Sequence, residues 1–329
     1  MGDRYRLIGG RVFNRTCEVN IVEHCNLRCR SCAHLSPVIP KHFVDPDALS
    51  SDLTALARSY RVKVLRLLGG EPLLHPNIPD IMVAVRGSHV AEKIEITTNG
   101  LLLPRQEPRF WEMVDSVRIS LYPGHSLRDD QLDTCIDLAH RNNVLLRYRR
   151  YQTFQESYSE KGTDDPSLVK KIYATCNEAH RWRCHTVANG WFFKCPQSYF
   201  IPKGMSRGQD ATYRNGIKID DSPEFRDRLL SYLTSPEPLP ACGNCLGSAG
   251  KWFEHEQVRR EEFRPVQCRP TEDLIHPRLV GTPRLALARA ESLLPRTVVE
   301  TAEHVMRSSD SLVGLLRKVQ AFNTSRFRG

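Results

Sequence analysis

Three of the 11 cysteines in this 329-residue chain, Cys25, Cys29 and Cys32, stand in a C-x3-C-x2-C spacing. Three thiolates on one short loop can hold three irons of a [4Fe–4S] cube, a cluster that usually takes four cysteines. One iron is then open to a substrate or cofactor. The same spacing suits a zinc site completed by a fourth ligand such as His24 or His34. A second set lies downstream: Cys176, Cys184, Cys195, the C-x2-C pair Cys242 and Cys245, and Cys268. In a reducing compartment a C-x2-C pair is a strong ligand signal. Four of these thiols would also serve one structural zinc. Cys17 and Cys135 fall inside a strand and a helix and read as core thiols.

Other residues with chemical potential lie between the two sets. Gly69-Gly70-Glu71 combines two glycines, which let a backbone approach closely, with a carboxylate able to hold an ammonium group. Thr98, Asn99 and Ser120 are polar residues at segment ends. Arg147 and Arg149 share one strand face and suit the carboxylate of a cofactor or an anionic substrate. The elements that must position them alternate. Apolar strand-like runs at 16–22, 62–68, 93–98, 116–121 and 144–149 are separated by helical patterns near 46–60, 77–86, 107–114 and 126–141. A βα series favours a parallel sheet with covering helices. The units are too few for a closed eightfold barrel, so an α/β fold with a partial (βα)6 TIM-like barrel is expected. In parallel α/β folds the ligand site lies beyond the C-terminal strand ends, where all these polar loops fall.

Over roughly residues 16–149 the sequence resembles the radical S-adenosylmethionine (radical SAM) superfamily, through the cysteine motif followed by Gly69-Gly70-Glu71-Pro72. The resemblance implies that Cys25, Cys29 and Cys32 bind the cluster and that SAM chelates the open iron. It further implies that Gly69, Gly70 and Glu71 hold the methionine end, with Thr98, Asn99 and Ser120 near the ribose or carboxylate and Arg147 as a further cofactor contact. The implied chemistry is reductive SAM cleavage to a deoxyadenosyl radical, fed by a flavodoxin- or ferredoxin-type reductant. Many members carry an aromatic residue before the third cysteine. Here Ser31 stands there, leaving Leu27, His34 or Leu35 to pack the adenine.

The downstream cysteines resemble the SPASM and twitch extensions of that superfamily, which bind an auxiliary [4Fe–4S] cluster. Cys195, Cys242 and Cys245 are expected ligands. The fourth is Cys176 by the spacing of the resemblance, or Cys184 if a hairpin turning at Asn189-Gly190 pairs Cys184 with Cys195 ~5 Å apart. Cys268, or the unused thiol, is a candidate hydrogen-atom donor. The resemblance points to a small polar substrate, a sugar or aminocyclitol of antibiotic or polysaccharide pathways, undergoing dehydrogenation, dehydration or epimerisation. A peptide-modifying relative is the first rival, disfavoured because only about 15 residues precede the first strand. A zinc-stabilised nucleic-acid-binding protein is the second.

Composition bounds these readings. With 40% hydrophobic and 26% charged residues the chain is an ordinary globular one, not a disordered or collagen-like one. No apolar run approaches the ~18–20 residues a spanning helix needs, and the N-terminus lacks a signal-peptide core. The chain therefore reads as cytoplasmic, with its thiols reduced. Net charge is +9. Residues 278–329 hold nine Lys/Arg and four Asp/Glu, so over half of that charge sits on one tail. No aromatic–basic interleaving accompanies it, so nucleic acid is not the expected partner. The expected domains are a radical SAM core at 1–175, an auxiliary-cluster region at 176–270 and a basic helical tail at 271–329.

Overall fold

In the computed structural model, residues 5–205 and 208–281 are described. The chain begins with β1 (Arg6–Ile8) and β2 (Arg11–Val22). It then alternates β3 (Tyr60–Gly69), β4 (Ala91–Thr98), β5 (Ser116–Leu121) and β6 (Leu145–Arg150) with α1 (Pro46–Ala57), α2 (Ile78–Ser88), α3 (Pro108–Met113) and α4 (Asp129–Arg141). Local chemistry starts these helices where the sequence marks them. Asp45 caps α1 by accepting from the Asp47 and Ala48 amides, with Pro46 just inside. β2 through β6 pair side by side and parallel. One sheet face carries Val19, Ile21, Leu65, Leu67, Ile94, Ile96, Val117 and Ile119, all buried against Leu53, Met82, Trp111 and Cys135 of α1–α4. Burying this apolar face under the helices supplies the main driving force for the architecture.

The second half returns to the same sheet. It contains β7 (Thr153–Gln155), α5 (Pro166–Ala174), β8 (His185–Ala188), β9 (Trp191–Phe193), α6 (Pro196–Gly204), α7 (Gly208–Tyr213), β10 (Gly216–Lys218), α8 (Phe225–Thr234), β11 (Trp252–Glu254) and α9 (Arg260–Gln267). β8 lies parallel to β2, with Cys17 opposite His185. The order is β10-β9-β8-β2-β3-β4-β5-β6, with β1 on β2. Six strands therefore run parallel, as a partial (βα)6 barrel requires. The sixth joins beside the first strand rather than beyond the fifth.

The hairpin forms as its sequence dictates. Asn189 and Gly190 take positive φ of 50° and 76°, and the pairs Thr186–Phe193 and Val187–Phe192 are in register. The register does not extend to Cys184 and Cys195. Arg183 adopts a left-handed conformation that turns the chain before β8, and Cys195 begins α6. β7 and β11 make a separate two-stranded ribbon. Each has only three residues, too short to leave a periodic signal in sequence. The basic tail expected at 271–329 lies outside the described residues from 282 onward.

Candidate functional site

Two groups of thiols form. The first follows the C-terminal end of β2. Cys25, Cys29 and Cys32 occupy one tight loop, with the Cys32 amide donating to the Cys29 carbonyl at 3.2 Å. Burial pushes the Cys29 thiol up to about 12, and the neighbouring Cys32 thiol pushes the same way. Cys25 and Cys32 are raised chiefly by burial as well. Clustered thiolates are costly without a compensating positive charge, which an iron–sulfur cluster supplies. The donor set therefore fits such a group. His24 and His34 pack edge-on against the Phe43 and Phe200 rings, as core side chains do. Ser31 ties the loop down by bonding the Ser157 amide at 2.9 Å.

Gly69 and Gly70 bring β3 against this loop. A Cβ on Gly70 would lie 2.1 Å from the His24 carbonyl oxygen, and one on Gly69 would lie 2.0 Å from that of Val22. Without side chains, the Gly70 and Glu71 amides donate to Val22 and His24 at 2.7 and 3.0 Å. The close approach that the glycines permit is thus one of chain to chain. The Glu71 carboxylate is fully buried. It accepts from the Thr98 hydroxyl at 2.6 Å, the Asn99 amide at 2.8 Å and the Leu73 amide at 3.0 Å. Burial pushes it up to about 7 against the pull of those donors. Its side chain braces the end of β4. The Asn99 side chain reaches back to the Asn26 side-chain oxygen at 2.7 Å. Ser120 is buried at the end of β5.

Arg147 stands lower on the sheet than the loop, donating to Glu95 at 3.2 Å. Leu35 is wholly buried in a core cluster with Phe200, which removes it from the adenine candidates. Cys17 and Cys135 are core thiols, as expected. Cys268 is exposed at the end of α9. Solvent would quench a radical there, so its position lends the hydrogen-donor role no support.

Sequence reasoning missed the segment after β11. The Cys29 backbone bridges to Gln257. The Gln257 side-chain oxygen accepts from the Arg28 amide, which turns its nitrogen toward Cys29 Sγ at 3.2 Å. Beside it, His255 stacks on Tyr122 with ring centroids 4.8 Å apart. The Gln257 contacts cross more than 220 positions and the His255 stack more than 130, and no local pattern announces them. Hydrogen bonds to cluster sulfurs help set reduction potential. Replacing Gln257 by leucine removes one bond of about 1 kcal/mol, equivalent to roughly 40 mV for one electron. A potential shifted down by that order is expected in a redox titration followed by electron paramagnetic resonance.

The second group of thiols lines an apolar cavity with Tyr173, Glu178 and Lys194, and comprises Cys176, Cys195, Cys242 and Cys245. Burial raises all four, and each is further raised by neighbouring thiols of the set or, for Cys195, by Glu178. Cys184 is outside the group. It is raised by burial and then by Glu178, Glu18 and a bond to Glu178, with no other cysteine among its influences. The buried Lys194 ammonium donates to the Tyr173 hydroxyl at 3.1 Å and lowers Cys195 and Cys242. Among the described residues, no three His, Cys, Asp or Glu side chains are grouped to hold a single metal ion.

Residues 19–132 match the model of the Radical SAM superfamily. The chain is 37% identical over 114 residues to the GTP 3′,8-cyclase of Chlorobaculum tepidum, covering 33% of this chain and 34% of that protein. It is 31% identical over 153 residues to the mitochondrial GTP 3′,8-cyclase of Arabidopsis thaliana, covering 39% and 38%. The chain thus spans about a third of the length of these curated relatives. The crystal structure of BtrN in complex with AdoMet and 2-DOIA aligns with TM-score 0.41 and 17% identity, over 70% of this chain and 92% of that one. Among the described residues, no helix is long and apolar enough to cross a membrane.

Proposed function

We propose, from the match of residues 19–132 to the model of the Radical SAM superfamily, that the chain is an enzyme that reductively cleaves SAM and abstracts hydrogen from a small polar metabolite. One observation carries the reading. Successive parallel strands deliver the Cys25–Cys32 loop, Gly69-Gly70, Asn99 and Ser120 to the same end of the sheet, and Gly70 and Asn99 bond that loop or its root directly.

Cys25, Cys29 and Cys32 would hold a [4Fe–4S] cluster, which when bound supplies the electron for SAM cleavage and hence the hydrogen-abstracting radical. The residues of the chain do the positioning. Glu71 is committed to Thr98, Asn99 and Leu73, so its contribution to the methionine end is to brace the end of β4 beside Gly70. Asn99 and Ser120 bound the ribose side, whereas Thr98, expected beside them, lies on the other face of β4 with its hydroxyl given to Glu71. The β11 segment is pinned to Cys29 through Gln257 and so packs on one side of the loop.

Cys176, Cys195, Cys242 and Cys245 would hold an auxiliary [4Fe–4S] cluster, with Lys194 offsetting its negative charge. The reductant is a flavodoxin or ferredoxin. A sugar or aminocyclitol remains the leading substrate class, with dehydrogenation, dehydration or epimerisation as outcome. A nucleotide cyclase is a second reading, favoured by the 37% identity to a GTP 3′,8-cyclase. That identity covers about a third of the relative.

Anaerobic reconstitution tests the proposal. About eight irons per chain are expected. After reduction, 5′-deoxyadenosine release should rise with one member of a panel of sugars, aminocyclitols and GTP. Product mass then reads the outcome as loss of two hydrogens, loss of water or no change. Two zincs per chain and no SAM cleavage would refute it.

A further inference from the structure

We propose that the inner face of the sheet, one step below the cysteine loop, seats a hydroxylated metabolite bearing an oxyanion, either phosphate or carboxylate. The inference rests on the radical SAM reading, which requires the substrate to lie next to that loop. Strand register builds the seat. Asn20 stands opposite Leu68, Leu67 opposite Ile96, Thr97 opposite Arg118 and Arg118 opposite Arg147. Asn20, Leu68, Thr97, Arg118 and Arg147 therefore form one continuous row across β2–β6. Two residues further along β3, β4 and β5, on the same face, come Gly70, Asn99 and Ser120. The row lies directly beneath the proposed cofactor.

Two observations point to a ligand. The first is unmet hydrogen bonding. Asn20 is 3% exposed, and neither atom of its amide has a partner. Thr97 Oγ1 in the same row is also buried and unpaired, as is Thr186 Oγ1 on β8 opposite Glu18. Native structures rarely leave such groups unpaired, and these three share one face of the sheet. Asn20 can donate and accept at once, and the threonine hydroxyls likewise, which suits a polyol.

The second observation is charge. Arg66, Arg118 and Arg147 all donate to the single carboxylate of Glu95 at 2.8–3.4 Å. Glu18 pairs with Arg66, and the Glu178 carboxylate interacts with both. Arg66 is thus shared among three carboxylates, while Arg118 and Arg147 pair with Glu95 alone. Arg118 and Arg147 keep 38% and 45% of their side chains exposed and can reach an incoming oxyanion. An ammonium-bearing aminocyclitol would meet like charge here. The row therefore narrows the substrate class to an acidic sugar or a phosphorylated polyol.

Equilibrium binding to the full-length reconstituted protein tests this with glucose, glucose 6-phosphate and glucuronate as probes. At least one charged probe should bind roughly tenfold or more tighter than glucose. Which charged probe wins distinguishes phosphate from carboxylate. The double variant Arg118→Gln/Arg147→Gln should erase that preference. Asn20→Leu should weaken all the probes together. Should the glutamine pair fail to fold, an Arg118→Lys/Arg147→Lys pair must retain a reduced preference. Equal affinity for glucose and the charged probes, no charged probe bound at millimolar concentration, or an unchanged preference in the glutamine variant would each overturn the inference. Uncoupled SAM cleavage by the wild-type holoenzyme is measured separately. Its absence would refute the radical SAM reading and not the anion preference.

Discussion

Replacing Cys25, Cys29 and Cys32 together by alanine is expected to remove about four irons per chain and to abolish 5′-deoxyadenosine release. The effect should be complete rather than graded. No other thiol set stands at the C-terminal end of β2, where Gly70 and Asn99 converge. The fold should survive, because the loop is also held by bonds that do not use sulfur. Ser31 binds the Ser157 amide, and the Arg30 amide donates to the Glu256 carbonyl. Iron analysis, circular dichroism and product chromatography on the same preparation separate the two effects. Retained SAM cleavage in the triple variant would sink the assignment of the site.

The second large effect concerns the downstream thiols. Cys195→Ala and Cys242→Ala should each lower the iron content from about eight to about four per chain, while Cys184→Ala should leave it near eight. The contrast follows from where the chain turns. Arg183 ends the approach to β8 in a left-handed conformation, which takes Cys184 to Glu178 and away from Cys195. Cys176 instead lines the cavity shared with Cys195, Cys242 and Cys245. Iron and sulfide analysis with Mössbauer spectroscopy reads the outcome directly. Four irons remaining after Cys184→Ala would reverse the choice between Cys176 and Cys184.

The barrel was legible in sequence because each unit carries its own local signals. Asp45-Pro46 starts a helix, and runs such as 62–68 alternate with helical periodicity. The cysteine loop and Gly69-Gly70-Glu71 were legible because their spacing is short. The role of Glu71 was only half legible. Its type suggests an ammonium partner, but three donors from β4 and its own turn claim it first. The Asn189-Gly190 turn fixes the hairpin pairing, yet nothing local says where pairing stops, and the Cys184–Cys195 pair failed for that reason. Gln257 and His255 were invisible, since their importance comes from partners more than 220 and more than 130 positions away. The row of Asn20, Thr97, Arg118 and Arg147 was equally hidden, because it exists only once five strands are in register.

The insertion of β8 beside β2 has a consequence for how the protein is made. Cys17 and His185 face each other across that pairing, 168 residues apart. On the ribosome, β2 emerges long before its neighbour. At ~5–20 residues per second, roughly ten to thirty seconds pass before β8 can dock. During that interval one edge of an apolar strand stands open, a template for pairing with another chain. The loop bearing Cys25, Cys29 and Cys32 hangs from the same strand. Nascent chains therefore present a thiol-rich loop on an unfinished sheet, and a chaperone that shields the edge of β2 would also guard those thiols until iron arrives.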